Sequence, residues 1–254
     1  MPTPTILFIS LLGGEGTYDP RSFCRLPGGD DDTVWMRLCL ESVGLADKIT
    51  YRSARVHRGE ALPDVGEIDA VITGGSINSA HDGLEWQHRT RDFLHAWRAT
   101  GKPWFGICGG HQLASVMLGG EVGENPDGWT AGSYPAERTE AGARHFLFDG
   151  FADDAAFHWS NRDRVAVPPP GAVVLATRPG LPAAALDHGG NWFSVQFHPE
   201  ATADLFGAVY AKRDPAKLAN YRVLPGTERM LLNFLVGTNI LDPDARQRPL
   251  RTKS

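Results

Sequence analysis

The stretch Phe105-Gly106-Ile107-Cys108-Gly109-Gly110-His111-Gln112 decides how this chain is read. Pro103-Trp104-Phe105-Gly106-Ile107 is a short apolar run that suits a strand, and Gln112 to Leu118 carries a helical pattern directly after it. Cys108 stands at the turn between them, with Gly106 and Gly110 two positions away on either side. A side chain that must leave a buried strand and point out of the sheet forces its backbone into a strained region of φ/ψ space. The residues two positions away then crowd the strand and the helix, so they are best without a Cβ. This is the small-x-nucleophile-x-small pattern of a nucleophile elbow. With 29 glycines and 3 cysteines in 254 residues, Gly-x-Cys-x-Gly arises about 0.04 times in a random chain of this composition. The N–H groups and dipole at the start of the following helix favour an anion, here the Cys108 thiolate. The backbone N–H of Gly109 can also face an oxyanion. The plain alternative is a buried cysteine beside packing glycines. Cys24, in a loop, and Cys39, on the apolar side of a helix, lack this setting.

Outward from the elbow, strand and helix patterns alternate. Ile6 to Leu11 is continuously apolar, as in a strand buried on both faces. Gly13 to Asp32 is polar and glycine-rich and reads as a loop. Asp31-Asp32-Thr33 opens a helix that ends near Gly44. Strands are expected from Ile49 and over Asp69–Thr73, the latter stopping at Gly74-Gly75, and a helix over Leu84–Thr100. The second half is richer in strand patterns: Glu121-Val122, Phe146–Phe148, Ala172–Thr177, Ala183–Leu186 and Trp192–Phe197, before a closing helix over about Thr227–Val236. The expected fold class is α/β, a mostly parallel central sheet with helices on both faces plus a smaller antiparallel strand region. One domain over residues 1–241 is expected, with a polar tail over 242–254.

Val195-Gln196-Phe197-His198-Pro199-Glu200 closes an apolar strand. A thiol nucleophile needs a base that takes its proton and later protonates the leaving group. That base needs a partner to fix its tautomer. His198 fits the first task, and Glu200, held two residues on by the fixed turn at Pro199, fits the second. The bland alternative is a surface His-Pro-Glu turn. His111, in the first turn after the elbow, is read as a packing or capping residue. Cys108-x-x-His111 has the spacing of zinc ligands but no second cysteine pair, so no metal and no cofactor is expected.

Composition narrows the classes. The hydrophobic share is 42% and the charged share 22%, which excludes disordered, collagen-like and coiled-coil chains. A net charge of −5 argues against a nucleic-acid groove. Three cysteines make no disulfide framework and fit a reducing cytosol. Met1 to Thr5 lacks a signal peptide's basic region, and no apolar run reaches the roughly 18 residues of a membrane span. No membrane contact and a cytoplasmic location are therefore expected.

The two constellations, in the order cysteine, histidine, glutamate, resemble the class I (triad) glutamine amidotransferases, in particular stand-alone members similar to the glutaminase domain of GMP synthase and to γ-glutamyl peptidases. Val71–Ser76, Gly106–Gln112, Asp127–Gly132 and Phe197–Glu200 carry the likeness, which runs from about Ile6 to Leu205. The resemblance implies a flavodoxin-like sheet. It implies that Cys108 attacks a γ-glutamyl δ-carbonyl, that His198 shuttles the proton and that Glu200 orients it. It further implies an oxyanion hole from Gly75 and Gly109, and substrate contacts from Gln112, Ser160 and Asn161. The substrate would be glutamine or another γ-glutamyl small molecule. Released ammonia would pass to a separate synthetase, because the chain has no phosphate-binding loop of its own. Two alternatives stay open: a stand-alone hydrolase of γ-glutamyl amines or peptides, and a binding module that has lost the reaction. The chain departs from the family at Ser76, where many relatives carry proline, and at Asn161, where they often carry histidine.

Overall fold

The computed structural model describes residues 3–14 and 16–247. Five strands form the parallel heart of the fold: β1 (Thr5–Ser10), β2 (Thr50–Arg55), β3 (Ala70–Thr73), β4 (Trp104–Ile107) and, from far along the chain, β12 (Trp192–Val195). They pair in the order β2-β1-β3-β4-β12. The sheet then turns antiparallel through β11 (Leu181–Asp187), β10 (Val173–Arg178) and β7 (Glu137–Arg138). Strands β3, β4 and β12 are buried along their whole length, as strands covered on both faces must be.

The period of two sorts each strand between two layers. Ile6 and Phe8 face α1 (Asp32–Ser42) and the closing α6 (Arg229–Gly237). Leu7 and Ile9 face α2 (Glu85–Ala99) and α3 (Gly109–Met117). Asp31 caps α1 by accepting from Thr33 N–H, and Gly44 follows with φ of 78°. The short helix α4 (Glu140–Ala143) lies beside β10. After the central strands comes α5 (Ala203–Arg213), with a 3-10 helix at Pro215–Asn220.

Several expectations change. Phe146–Phe148 is a 3-10 helix, not a strand. His145 Nδ1 accepts from Leu147 N–H and caps it, and Leu147 and Phe148 both turn inward, which strand alternation would forbid. The expected antiparallel region includes two small sheets: β5 (Glu121–Glu124), read at Glu121-Val122, pairs with β9 (Asp163–Val167), and β6 (Thr130–Pro135) pairs with β8 (Ala156–Asn161); β6, β8 and β9 were not read as strands. Helix α5 was not read either. The stretch taken as a polar tail begins with a 3-10 helix at Pro243–Gln247 whose Ala245 is buried; residues 248–254 lie outside the described residues.

Candidate active site

Cys108 lies at the end of β4 and opens α3, with φ of 47° and ψ of −97°. Few non-glycine residues occupy that half of φ space, and those that do are held there by their surroundings. Here the Cys108 N–H donates to Val195 O on β12 at 2.8 Å, and Gly110 N–H donates to Gly74 O at 3.0 Å. A Cβ on Gly106 would strike the Trp104 ring, and one on Gly110 would stand 2.7 Å from Thr73 O. Both glycines are therefore required by contact, as the elbow pattern implies. Cys24 is exposed and Cys39 is buried in α1.

The chain after β12 returns to the elbow. His198 N–H donates to His158 O at 2.8 Å, which pins this segment to β8. The His198 ring Nδ1 lies 2.8 Å from Glu200 Oε1. Its other side meets the elbow, since an added Cβ at Gly75 would lie 2.9 Å from His198 Cε1 and 3.6 Å from Cys108 Cβ. Cys108, His198, Glu200 and Gly75 thus share one small volume, and Cys108 and His198 are only 4% and 9% exposed.

Burial works to lower the His198 pKa. The Glu200 carboxylate and the Cys108 sulfur, which also hydrogen-bonds the ring, overcome it and raise the pKa well above its ordinary value. The arrangement favours the charged form of the His198 ring. Gly109 packs against the β3–α2 connection, where its added Cβ would lie 2.5 Å from Ser76 Cβ. Ser76, at the departure from proline, accepts from Asn78 N–H at 3.1 Å.

The remaining expected contacts are engaged inside the protein. Gln112 Nε2 donates to Asp163 O at 2.9 Å and to Gln196 Oε1 at 3.1 Å. Ser160 Oγ lies 2.8 Å from Tyr210 OH. Asn161 Nδ2 donates to Asp163 O at 3.1 Å, while its Oδ1 is buried without a partner. His111 is not at the site's face: its Nδ1 bonds Ser194 Oγ at 2.7 Å in the interior.

Sequence reading missed Gln196. Its Nε2 reaches Cys108 Sγ at 3.5 Å while its Oε1 takes the Gln112 bond. The available signal was one amide side chain within the run Trp192 to Phe197, which is apolar apart from it and Ser194. Among the described residues no three His, Cys, Asp or Glu side chains gather in a way that could hold a metal ion. No helix among them is long and apolar enough to cross a membrane.

The family profile "Glutamine amidotransferase class-I" matches residues 46–217, more than half of the chain. The GMP synthase [glutamine-hydrolyzing] of Aeropyrum pernix is 33% identical over 168 residues, covering 66% of this chain and 30% of that protein. The GMP synthase of Geobacillus kaustophilus is 37% identical over 144 residues, covering 56% and 26%. The chain thus spans under a third of the length of these relatives. Among solved structures, a glutamine amidotransferase from Thermotoga maritima aligns with a TM-score of 0.72 at 18% identity, covering 94% of this chain and 99% of that one. One from Methylobacillus flagellatus aligns with a TM-score of 0.66 at 17% identity, covering 99% and 98%. These two likenesses speak for the fold. On the profile match and the strand-elbow-helix architecture together, the chain belongs to the class-I glutamine amidotransferase family.

Proposed function

We propose that this chain hydrolyses a γ-glutamyl amide bond, with glutamine as substrate and a Cys108–His198–Glu200 triad as the machinery. The Cys108 thiolate attacks the δ-carbonyl carbon, and the developing oxyanion takes hydrogen bonds from the N–H groups of Gly75 and Gly109. As the carbon–nitrogen bond breaks, His198 gives its proton to the leaving nitrogen, and ammonia departs from a γ-glutamyl thioester. Water then loses a proton to His198 and attacks the thioester, which releases glutamate and restores the sulfur. Glu200 holds the His198 tautomer throughout. Gln112, Ser160 and Asn161 are proposed to bound the substrate's amino-acid end. The ammonia would pass to a separate synthetase protein.

The observation that carries this reading is the contact of Cys108, at positive φ, with an imidazole whose Nδ1 bonds a carboxylate. The test is glutamate release from glutamine by the purified protein. Cys108→Ala should abolish it with the fold intact. His198→Asn should lower kcat by roughly 100-fold or more, and Glu200→Gln by less, because orientation is a smaller effect than proton transfer. Turnover by Cys108→Ala equal to wild type would falsify the mechanism. A second reading, hydrolysis of a γ-glutamyl amine or peptide, would use the same nucleophile and base and differ only in the leaving amine. Turnover of γ-glutamyl-methylamine without turnover of glutamine would select it.

A further inference from the structure

Cys108 and His198 are nearly closed to solvent, so a substrate the size of a glutamyl group reaches them only if part of the surface moves. Strands β4 and β12 and helix α3 cannot be that part, since they are the buried centre of the sheet and its cover. The segment from α5 through the following 3-10 helix is different. It lies outside the central sheet and carries its own small apolar cluster with Phe206 and Tyr210.

Phe206 stands edge-on to the His198 ring, with centroids 5.4 Å apart and planes at 72°. Tyr221 stacks behind Phe206 at 4.7 Å. Polar bonds tie the segment to the β6–β8 sheet: Tyr221 OH to Trp159 O at 2.5 Å, Asn220 Nδ2 to Ala131 O at 3.3 Å, and Tyr210 OH with Ser160 Oγ at 2.8 Å. Its far side packs on the 3-10 helix Pro20–Phe23, within the long glycine-rich loop. Beyond Arg222, whose N–H donates to Ser133 Oγ at 3.0 Å, the chain leaves regular structure, with Val223 83% exposed and Gly226 at φ of 82°.

We propose that residues 203–221 form a lid over His198, latched by Tyr210 on Ser160, and that Tyr210 thereby sets the apparent affinity for the γ-glutamyl substrate. The proposal rests on the reading of Cys108 as nucleophile and of Ser160 as part of the substrate's seat. Latch and substrate then compete for one hydroxyl. Tyr210 is a positioning residue: it acts through Ser160 on the population of the open state. Substrate binds only that open fraction, so the apparent constant is the intrinsic one divided by it.

The discriminating substitution is Tyr210→Phe, which keeps the buried ring and removes the hydroxyl that meets Ser160 Oγ. A bond of ordinary strength is worth a shift of about two- to tenfold in the open fraction. Two measurements should move together. KM for glutamine should fall by that factor at unchanged kcat. Alkylation of Cys108 by iodoacetamide, followed by peptide mass spectrometry to separate it from Cys24, should accelerate by the same factor. Ser160→Ala removes the same bond from the other end and should accelerate alkylation equally. It decides the matter should Tyr210→Phe fold poorly. Unchanged alkylation in the folded variants overturns the lid. A raised KM with unchanged alkylation overturns the latch and makes Tyr210 a substrate contact. A wild-type protein that releases no glutamate defeats the hydrolase reading instead, and the alkylation comparison still judges the lid.

Discussion

Ser10 at the end of β1 donates through Oγ to Asp32 Oδ1 at 2.5 Å, in the interior. Burial pushes this carboxyl up to about 7; the Ser10 bond opposes the shift, and the charges of Asp31 and Glu200 add to it. A carboxyl whose folded pKa is raised binds its proton more tightly in the native state, so its effect on stability is most favourable at low pH. That advantage fades as pH climbs from the ordinary 3.8 to about 7. The shift corresponds to at most about 4 kcal/mol. Asp32→Asn keeps an acceptor for Ser10 and removes the titration. Urea denaturation at pH 5 and pH 8 should show the variant gaining on wild type at the higher pH; a constant difference between the two proteins would refute the assignment. At this scale the grouping of Cys108, His198 and Glu200 was legible, because each sits at a turn with a distinctive local pattern. Asp32 was readable only as a helix start, and Gln196 only as a lone amide in a strand. Their partners, Ser10 on β1 and Gln112 on α3, lie far off in the chain, and no local pattern records that.

At the scale of elements, the elbow is held by sterics that substitution can probe. Gly110→Ala places a Cβ 2.7 Å from Thr73 O and 3.2 Å from its carbonyl carbon, both backbone atoms of β3 that cannot step aside. Overpacking of this kind costs about 1–3 kcal/mol. Gly123→Ala in β5 meets nothing within 4 Å and should change stability far less. Denaturation midpoints of the two variants check the contrast; equal losses would mean that the elbow glycine is not required by contact. The central strands were legible as continuous apolar runs. Strand β6 was not, because Gly132, Ser133 and Pro135 break any apolar run, and β8 shows only the short alternation Phe157-His158-Trp159-Ser160. Phe146–Phe148 misled in the opposite sense. Three apolar residues in a row read as a strand, yet a side-chain cap and inward packing on Phe193 made a helical turn.

Across the whole molecule, α3 and the antiparallel half of the sheet are tied through one serine. His111 Nδ1 and His188 Nε2 each lie 2.7 Å from Ser194 Oγ. Burial, then each ring's charged neighbours, lowers His111 to about 3 and His188 to about 4. Groups with depressed pKa values stabilise the fold above pH 6.5 and lose that contribution as pH falls toward 4. His188→Gln should lower Tm at pH 7 yet narrow the gap to wild type at pH 4.5. Parallel melting curves with an unchanging gap would rule this out. Asp32 works in the opposite sense over the same interval, so only differences between variants isolate either group. The alternation of strands and helices announced a largely parallel sheet, but strand order was hidden, since β12 reaches its place beside β4 only through the completed fold.

That placement reaches into biosynthesis. The amide of Cys108 hangs on a carbonyl of β12, delivered by the ribosome long after the elbow itself. Until that anchor docks, the nascent chain lacks one of the backbone bonds that, alongside Gly110 N–H to Gly74 O, hold the elbow. A stalled polypeptide ending before the anchor therefore presents the elbow without its β12 partner, and the proposed triad, whose His198 and Glu200 come later still, cannot assemble on it.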